Sequence, residues 1–169
     1  MPERSRVWPW YLLAIAVIVV DHLAKWIASQ NLDYGQPVPL LPVLDLTLVH
    51  NRGAAFSFLS DAGGWQRWFF AVVAVGVSAW IAWWLHHLPA GKRWLAASLA
   101  LILGGAVGNL ADRLVLGYVV DFISVHWGPY YFPAFNIADS AITVGAVMML
   151  IDTFFFDGEE APTDADQTR

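Results

Sequence analysis

Cysteine is missing from all 169 residues, so disulfides, thiolate nucleophiles and cysteine-ligated metals are excluded. Charge is scarce as well: Asp, Glu, Lys and Arg make up 14% of the chain, against roughly a quarter in soluble proteins. Basic residues are in deficit, nine against fourteen acidic, for a net charge of −5, which argues against a nucleic-acid partner. Much of the acidity lies between Asp157 and Asp166. What remains is 58% hydrophobic and comes in long blocks. Such a chain belongs in a membrane, where the bilayer replaces a large soluble core.

A bilayer core about 30 Å thick takes about 20 apolar helical residues to cross. Four stretches meet that length: Trp8 to Ile27, Trp68 to Leu85, Trp94 to Leu114 and Ile137 to Phe156. They predict one integral membrane domain over residues 1–156, followed by an acidic, disordered cytoplasmic tail over 157–169. The first stretch follows Arg4 and Arg6 as a signal peptide would, but Asp21 and Lys25 interrupt it and no small-residue cleavage site follows, so it reads as a retained helix. Between the first two spans, the Pro- and Val-rich segment Gln36 to Val49 partly alternates and predicts a short β element outside the membrane.

Lys and Arg set the orientation. Arg4 and Arg6 precede the first span, and Lys92 and Arg93 lie in the short second connection, which puts both segments and both termini in the cytoplasm. Arg52, Arg67 and Arg113 on the other side moderate that bias. With this topology Asp21 and Lys25, Asn109, Asp112 and Arg113, and Asn136 and Asp139 all fall at the outer ends of their spans. The outer connections add Asn51, Arg52 and Asp121. A carboxylate at membrane depth costs about 2.5–3.5 kcal/mol on insertion scales, so several at one rim indicate a site.

Each constellation has a plain reading beside its chemical one. Asp21 and Lys25 are four apart, stacked on one helical face with the acid first; they suit a structural ion pair as well as a role in a site. Asn51-Arg-Gly-Ala-Ala-Phe-Ser57 reads as a turn around Gly53, or as a segment able to hold an extended peptide. Gly104-Gly-Ala-Val-Gly108 invites close approach of a helix or lipid chain. Asn109, Asp112 and Arg113 share a face, where Arg113 could fork onto a carboxylate or headgroup or simply anchor the helix end. Asp121 and Asp139 stand on different segments with apolar flanks. Two such carboxyls brought together share one proton, the state that suits water-mediated peptide hydrolysis; alternatively Asp139 favours a helix N-terminus. His22, His50, His86, His87 and His126 show no metal-ligand spacing, and nothing calls for a metal or cofactor. The tryptophans near span ends match an aromatic belt.

Taken together, Asp21-x-x-x-Lys25, Asn51-x-Gly-x-Ala-Phe56, Gly108-Asn-x-x-Asp-Arg113, Val120-Asp-Phe122 and Phe135-Asn-x-Ala-Asp-Ser140 resemble, in order and spacing, the lipoprotein signal peptidases, from the first span through the fourth. The resemblance implies four transmembrane helices with a small periplasmic β-cradle and a lid segment over an active site at the outer leaflet of the bacterial inner membrane. It implies an aspartyl endopeptidase that releases the signal peptide of a prolipoprotein by cutting just before a diacylglyceryl-modified cysteine. Residues matching Asp121 and Asp139 are then the catalytic dyad. Those matching Asp21, Lys25, Asn51, Gly53, Asn109, Arg113 and Asn136 shape the site, with Asp112 in the same motif. Expected partners are lipidated prolipoproteins and membrane phospholipids, with the enzyme acting as a monomer. A channel fits less well, since the second span holds no polar path. A non-catalytic lipid or signal-peptide binder differs only in turnover, and the Gly-x-Gly-Asp of another intramembrane aspartyl class is absent.

Overall fold

The computed structural model describes residues 7–53 and 64–155. Arg4, Arg6, residues 54–57 of the Asn51 motif, Phe156 and the acidic tail lie outside the described residues.

Among the described residues four helices have the length and hydropathy to cross a bilayer: α1 (Trp8–Asn31), α2 (Trp65–His87), α3 (Arg93–Val115) and α4 (Ile137–Phe155). They coincide with the four expected spans. Pro9 in the first turn of α1 presets a helical φ where no donor is needed. The α1 helix runs one turn past Ile27, to Asn31, and α2 begins three residues before Trp68. Hydropathy fades at Ser29 and Gln30, but backbone bonding continues until Leu32 donates to the Ala28 carbonyl at 2.9 Å.

Helix α3 is central: α1, α2 and α4 all pack on it. Its two adjacent glycines explain how. A Cβ on Gly104 would lie 2.7 Å from the Ala14 carbonyl oxygen and 2.8 Å from the Val17 Cβ, both on α1. A Cβ on Gly105 would collide with the Ala138 carbonyl oxygen of α4. Helices, not lipid chains, occupy both clefts, as small-residue packing in membranes predicts. Toward the α2–α3 turn the contacts are apolar, with Ile81 and Leu85 of α2 against Leu95, Leu99 and Leu103 of α3 and Ala14 of α1. Tyr11 Oη donates to the Ala82 carbonyl at 3.0 Å and Trp94 Nε1 to the Met148 carbonyl at 2.8 Å, tying α1 to α2 and α3 to α4.

The remaining elements form one antiparallel sheet in the order β1 (Val38–Leu41), β2 (Leu44–Asn51), β3 (Val119–Trp127) and β4 (Tyr130–Tyr131). The expected β element between the first two spans becomes β1 and β2. Its partners β3 and β4 come from the connection between α3 and α4, so the sheet joins the two loops at one end of the bundle. In the β2–β3 register Asn51 faces Val119 and Val49 faces Asp121.

Candidate active site

The two carboxylates expected to act together reach one place from different elements. Asp121 lies on β3 and is 1% exposed. Asp139 lies in the first turn of α4. Between them stands Asn136, fully buried, the residue before the helix. Its Oδ1 accepts from the Asp139 N–H at 2.9 Å, and Asp139 Oδ2 accepts from the Asn136 N–H at 3.3 Å. This reciprocal capping satisfies two N–H groups at the helix start and pins the Asp139 side chain. The Asn136 amide Nδ2 meanwhile donates to Asp121 Oδ1 at 2.7 Å. One asparagine therefore sets both carboxylates.

Each acid also receives a second asparagine. Asn51 Nδ2 donates to Asp121 Oδ2 at 3.1 Å, and Asn109 Nδ2 donates to Asp139 Oδ1 at 2.7 Å. The Asn51 Oδ1 turns back to accept from the Gly53 N–H at 3.0 Å, while Arg113 Nη2 donates to the Gly53 carbonyl at 3.3 Å. Arg113 also stacks over Phe70, 5.5 Å from the ring centroid. Gly53 is thus held by both its backbone groups at the edge of the site.

Burial, followed by the negative charge of Asp139, pushes the Asp121 carboxyl up to about 7. The amides of Asn51 and Asn136 and the charge of Lys25 oppose the rise without cancelling it. Near neutral pH Asp121 is therefore divided between protonated and ionised forms, as a proton-sharing pair requires.

Behind the pair lies a buried ionic cluster. Lys25 Nζ is 2.7 Å from Asp21 Oδ2, 2.8 Å from Asp112 Oδ2 and 2.9 Å from Asn109 Oδ1. The i,i+4 pair legible in the sequence is real, but Asp112 and Asn109 complete it from α3. Both carboxylates also hold backbone: Asp21 Oδ1 accepts from the Ala138 N–H at 2.8 Å, and Asp112 Oδ2 from the Val120 N–H at 3.2 Å. Ala138 and Val120 immediately precede Asp139 and Asp121. Sequence reasoning did not foresee these two amides, because backbone donors leave no residue-type signal. With Lys25 drawing on Asn109 Oδ1, that amide is fixed with its NH₂ toward Asp139.

A cavity of about 590 Å³ opens beside the pair, lined by Asn51, Asn109, Arg113 and Asp139, by residues 132–135, and by α4 down to Val144. Its wall is mostly apolar apart from those polar groups, Ser140 and Thr143. All ten expected site residues thus fall in one connected assembly: Asp21, Lys25, Asn51, Gly53, Asn109, Asp112, Arg113, Asp121, Asn136 and Asp139. The segment Phe132 to Ala134 is an addition, since only Phe135 stood in a recognisable motif.

The family described as signal peptidase (SPase) II matches residues 13–155. A lipoprotein signal peptidase of Acinetobacter baumannii is 56% identical over 157 residues, covering 93% of this chain and 89% of the relative. One of Pseudomonas aeruginosa is 54% identical over 158 residues, covering 91% and 94%. Among solved structures, a bacterial membrane enzyme determined by the in meso method at 2.3 Å resolution superposes with a TM-score of 0.84 at 26% identity, covering 97% of this chain and 98% of that one.

Proposed function

The chain belongs to the signal peptidase II family, and on that premise we propose that it removes signal peptides from prolipoproteins with Asp121 and Asp139 as its catalytic pair. One observation carries the assignment of the pair: two carboxylates from separate elements share the single buried Asn136, and one of them, Asp139, lines a cavity with a largely apolar wall. In the reaction, the ionised aspartate takes a proton from a water molecule as its oxygen attacks the scissile carbonyl carbon. The protonated aspartate gives its proton to the carbonyl oxygen. Collapse of the tetrahedral intermediate breaks the C–N bond, the nitrogen takes up a proton, and the pair returns to its one-proton state.

The bond cut is the one before a diacylglyceryl-modified cysteine. Apolar wall beside polar pair supports this, since a buried acyl chain contributes about 0.8 kcal/mol per CH₂. Arg113 and the Asn51–Gly53 segment hold the peptide backbone over the aspartates. Asp21, Lys25, Asn109, Asp112 and Asn136 hold the aspartates themselves. The protein is a multi-pass membrane protein, in the inner membrane as a monomer, with residues 1–156 as one domain and 157–169 as a cytoplasmic tail. Both termini face the cytoplasm and the pair faces the outer leaflet, a reading supported by Lys92 and Arg93 in the α2–α3 connection.

The test is cleavage by the purified full chain of a prolipoprotein bearing the diacylglyceryl group and of the same substrate with a bare cysteine. Cleavage of the lipidated form alone is expected; equal turnover of both refutes the lipid requirement, and turnover of neither refutes the function. A reporter fused after Arg169 should be active only in a form that requires the cytoplasm.

A further inference from the structure

The two ends of the sheet differ in chemistry. One end, at Asn51, Val119 and Asp121, belongs to the site. At the other, Leu44 pairs with Val125, and the His126 N–H donates to the Val43 carbonyl at 2.9 Å. The β1–β2 turn and the β3–β4 turn, where Trp127 faces Tyr130, therefore lie side by side, about 20 Å along β3 from Asp121. Leu40, Leu41, Val43, Trp127, Tyr130 and Tyr131 are all exposed there, Trp127 at 77% and Tyr130 at 78%. No Asp, Glu, Lys or Arg occurs from Gln36 to Leu44 or from Phe122 to Ala138. The nearby polar groups turn inward: Tyr131 Oη donates to buried Asp45 at 3.2 Å, and His126 Nε2 lies 3.4 Å from the same carboxylate.

A charge-free patch of this kind marks a surface that meets an apolar partner. Its level in the molecule identifies the partner. Directly after β4 the chain lines the cavity at Phe132, and the same cavity is lined by Thr143 and Val144 of α4. Those residues lie four and five positions past Asp139, about 6–8 Å into the helix, and Val144 is exposed on the outside of the bundle, where it meets lipid. The cavity that Phe132 lines therefore reaches down to the lipid-facing part of α4, which puts the turn just before Phe132 near the bilayer surface. Trp and Tyr, each with an apolar ring and a polar handle, are the side chains that favour that zone.

We propose that the paired turns around Pro42 and Pro129 form a membrane anchor that dips into the interfacial layer of the leaflet bearing the site. The sheet is then held at both ends, by the bundle at Asn51 and by lipid at Trp127 and Leu41. The anchor keeps β3, and Asp121 on it, at a fixed height relative to a lipid-borne substrate.

The absence of native cysteine makes the test direct. Pro129→Cys and Pro42→Cys, each in the full chain, are labelled with a fluorophore and reconstituted into vesicles of phosphatidylethanolamine and phosphatidylglycerol. Nitroxides are placed either on the headgroup or deep on the acyl chain. Headgroup nitroxides should quench both labels strongly, and deep nitroxides less. Adding Trp127→Ser and Tyr130→Ser to the Pro129→Cys chain should reduce the quenching several-fold. Labels that no nitroxide lipid quenches would place the tip in water and overturn the proposal. So would self-quenching that rises with the protein-to-lipid ratio, which would make a second copy the partner, or quenching relieved by a lipopeptide, which would make it the substrate.

Discussion

Toward the α2–α3 turn, Leu85, Leu95, Leu99 and Leu103 pack with Ala14 and Ile81 in an apolar cluster. About two turns beyond Leu103 on the same helix, Asn109 and Asp112 meet Lys25, which also holds Asp21. The two halves of the bundle use different means to the same end. In lipid the apolar half gains little from burial itself, so close packing holds it together. The sheet-end half is held by charge-assisted bonds, which are strong where water is excluded but leave expensive groups behind when one member is lost. Stability should therefore reside in both halves, and chemistry in only one.

The sharpest way to break that comparison is at the pair. Asp121→Asn or Asp139→Asn should lower turnover by about 10²–10⁴-fold, the scale of lost acid–base catalysis. Unfolding of either variant in detergent should stay close to that of the parent. A variant that loses its fold along with its activity would show that the two roles are not separate. Lys25→Met comes next. It strands Asp21 and Asp112, at a cost of about 3–5 kcal/mol in stability, and frees Asn109, so turnover should fall as well. Adding Asp21→Asn should recover part of the stability by thermal unfolding but little of the turnover, because Asn109 remains unheld.

In the other half, Leu99→Ala should lower stability through its lost packing contacts while turnover per folded molecule stays unchanged. A drop in turnover without a drop in stability would put chemistry where the account has none. The smallest effect expected is on pH dependence. Asp121 is protonated below about 7 and ionised above it; once the shared proton leaves, two like charges remain, so activity should fall on the alkaline side. Asn51 donates to the Asp121 carboxylate and favours the ionised form. Asn51→Ala should therefore raise the carboxyl further and move the alkaline limb to higher pH. A shift to lower pH would contradict the role assigned to Asn51.

The four spans and the two aspartates were legible in the sequence for one reason: a charge inside an apolar run stands out. Asp21 and Lys25 were visible as a pair, but their third member, Asp112, lies 87 positions after Lys25 in a different helix, and only the fold brings it in. Strands β3 and β4 were not foreseen. Val119 to Trp127 is buried on both faces for its first four residues, which hides the two-residue alternation that marks a strand. The Ala138 and Val120 amides, which carry the ionic cluster's hold on the pair, are invisible to any reading of side-chain types. The same limit applies to the glycines: Gly104 and Gly105 announced a close approach, but not that α1 takes one and α4 the other.

The central claim is that Asp121 and Asp139 act as one unit through Asn136, and a double-mutant cycle tests it most directly. Turnover of a lipidated prolipoprotein is measured for the parent, Asp121→Asn, Asp139→Asn and the double variant, with substrate binding followed in parallel. Residues that work as a unit are grossly non-additive. Each single variant should therefore lose cleavage while still binding, and the double variant should be hardly worse than either one. Substantial turnover by Asp139→Asn, or losses that multiply in the double variant, would contradict the shared-proton pair and leave a protein that binds lipidated signal peptides without cutting them through these two residues.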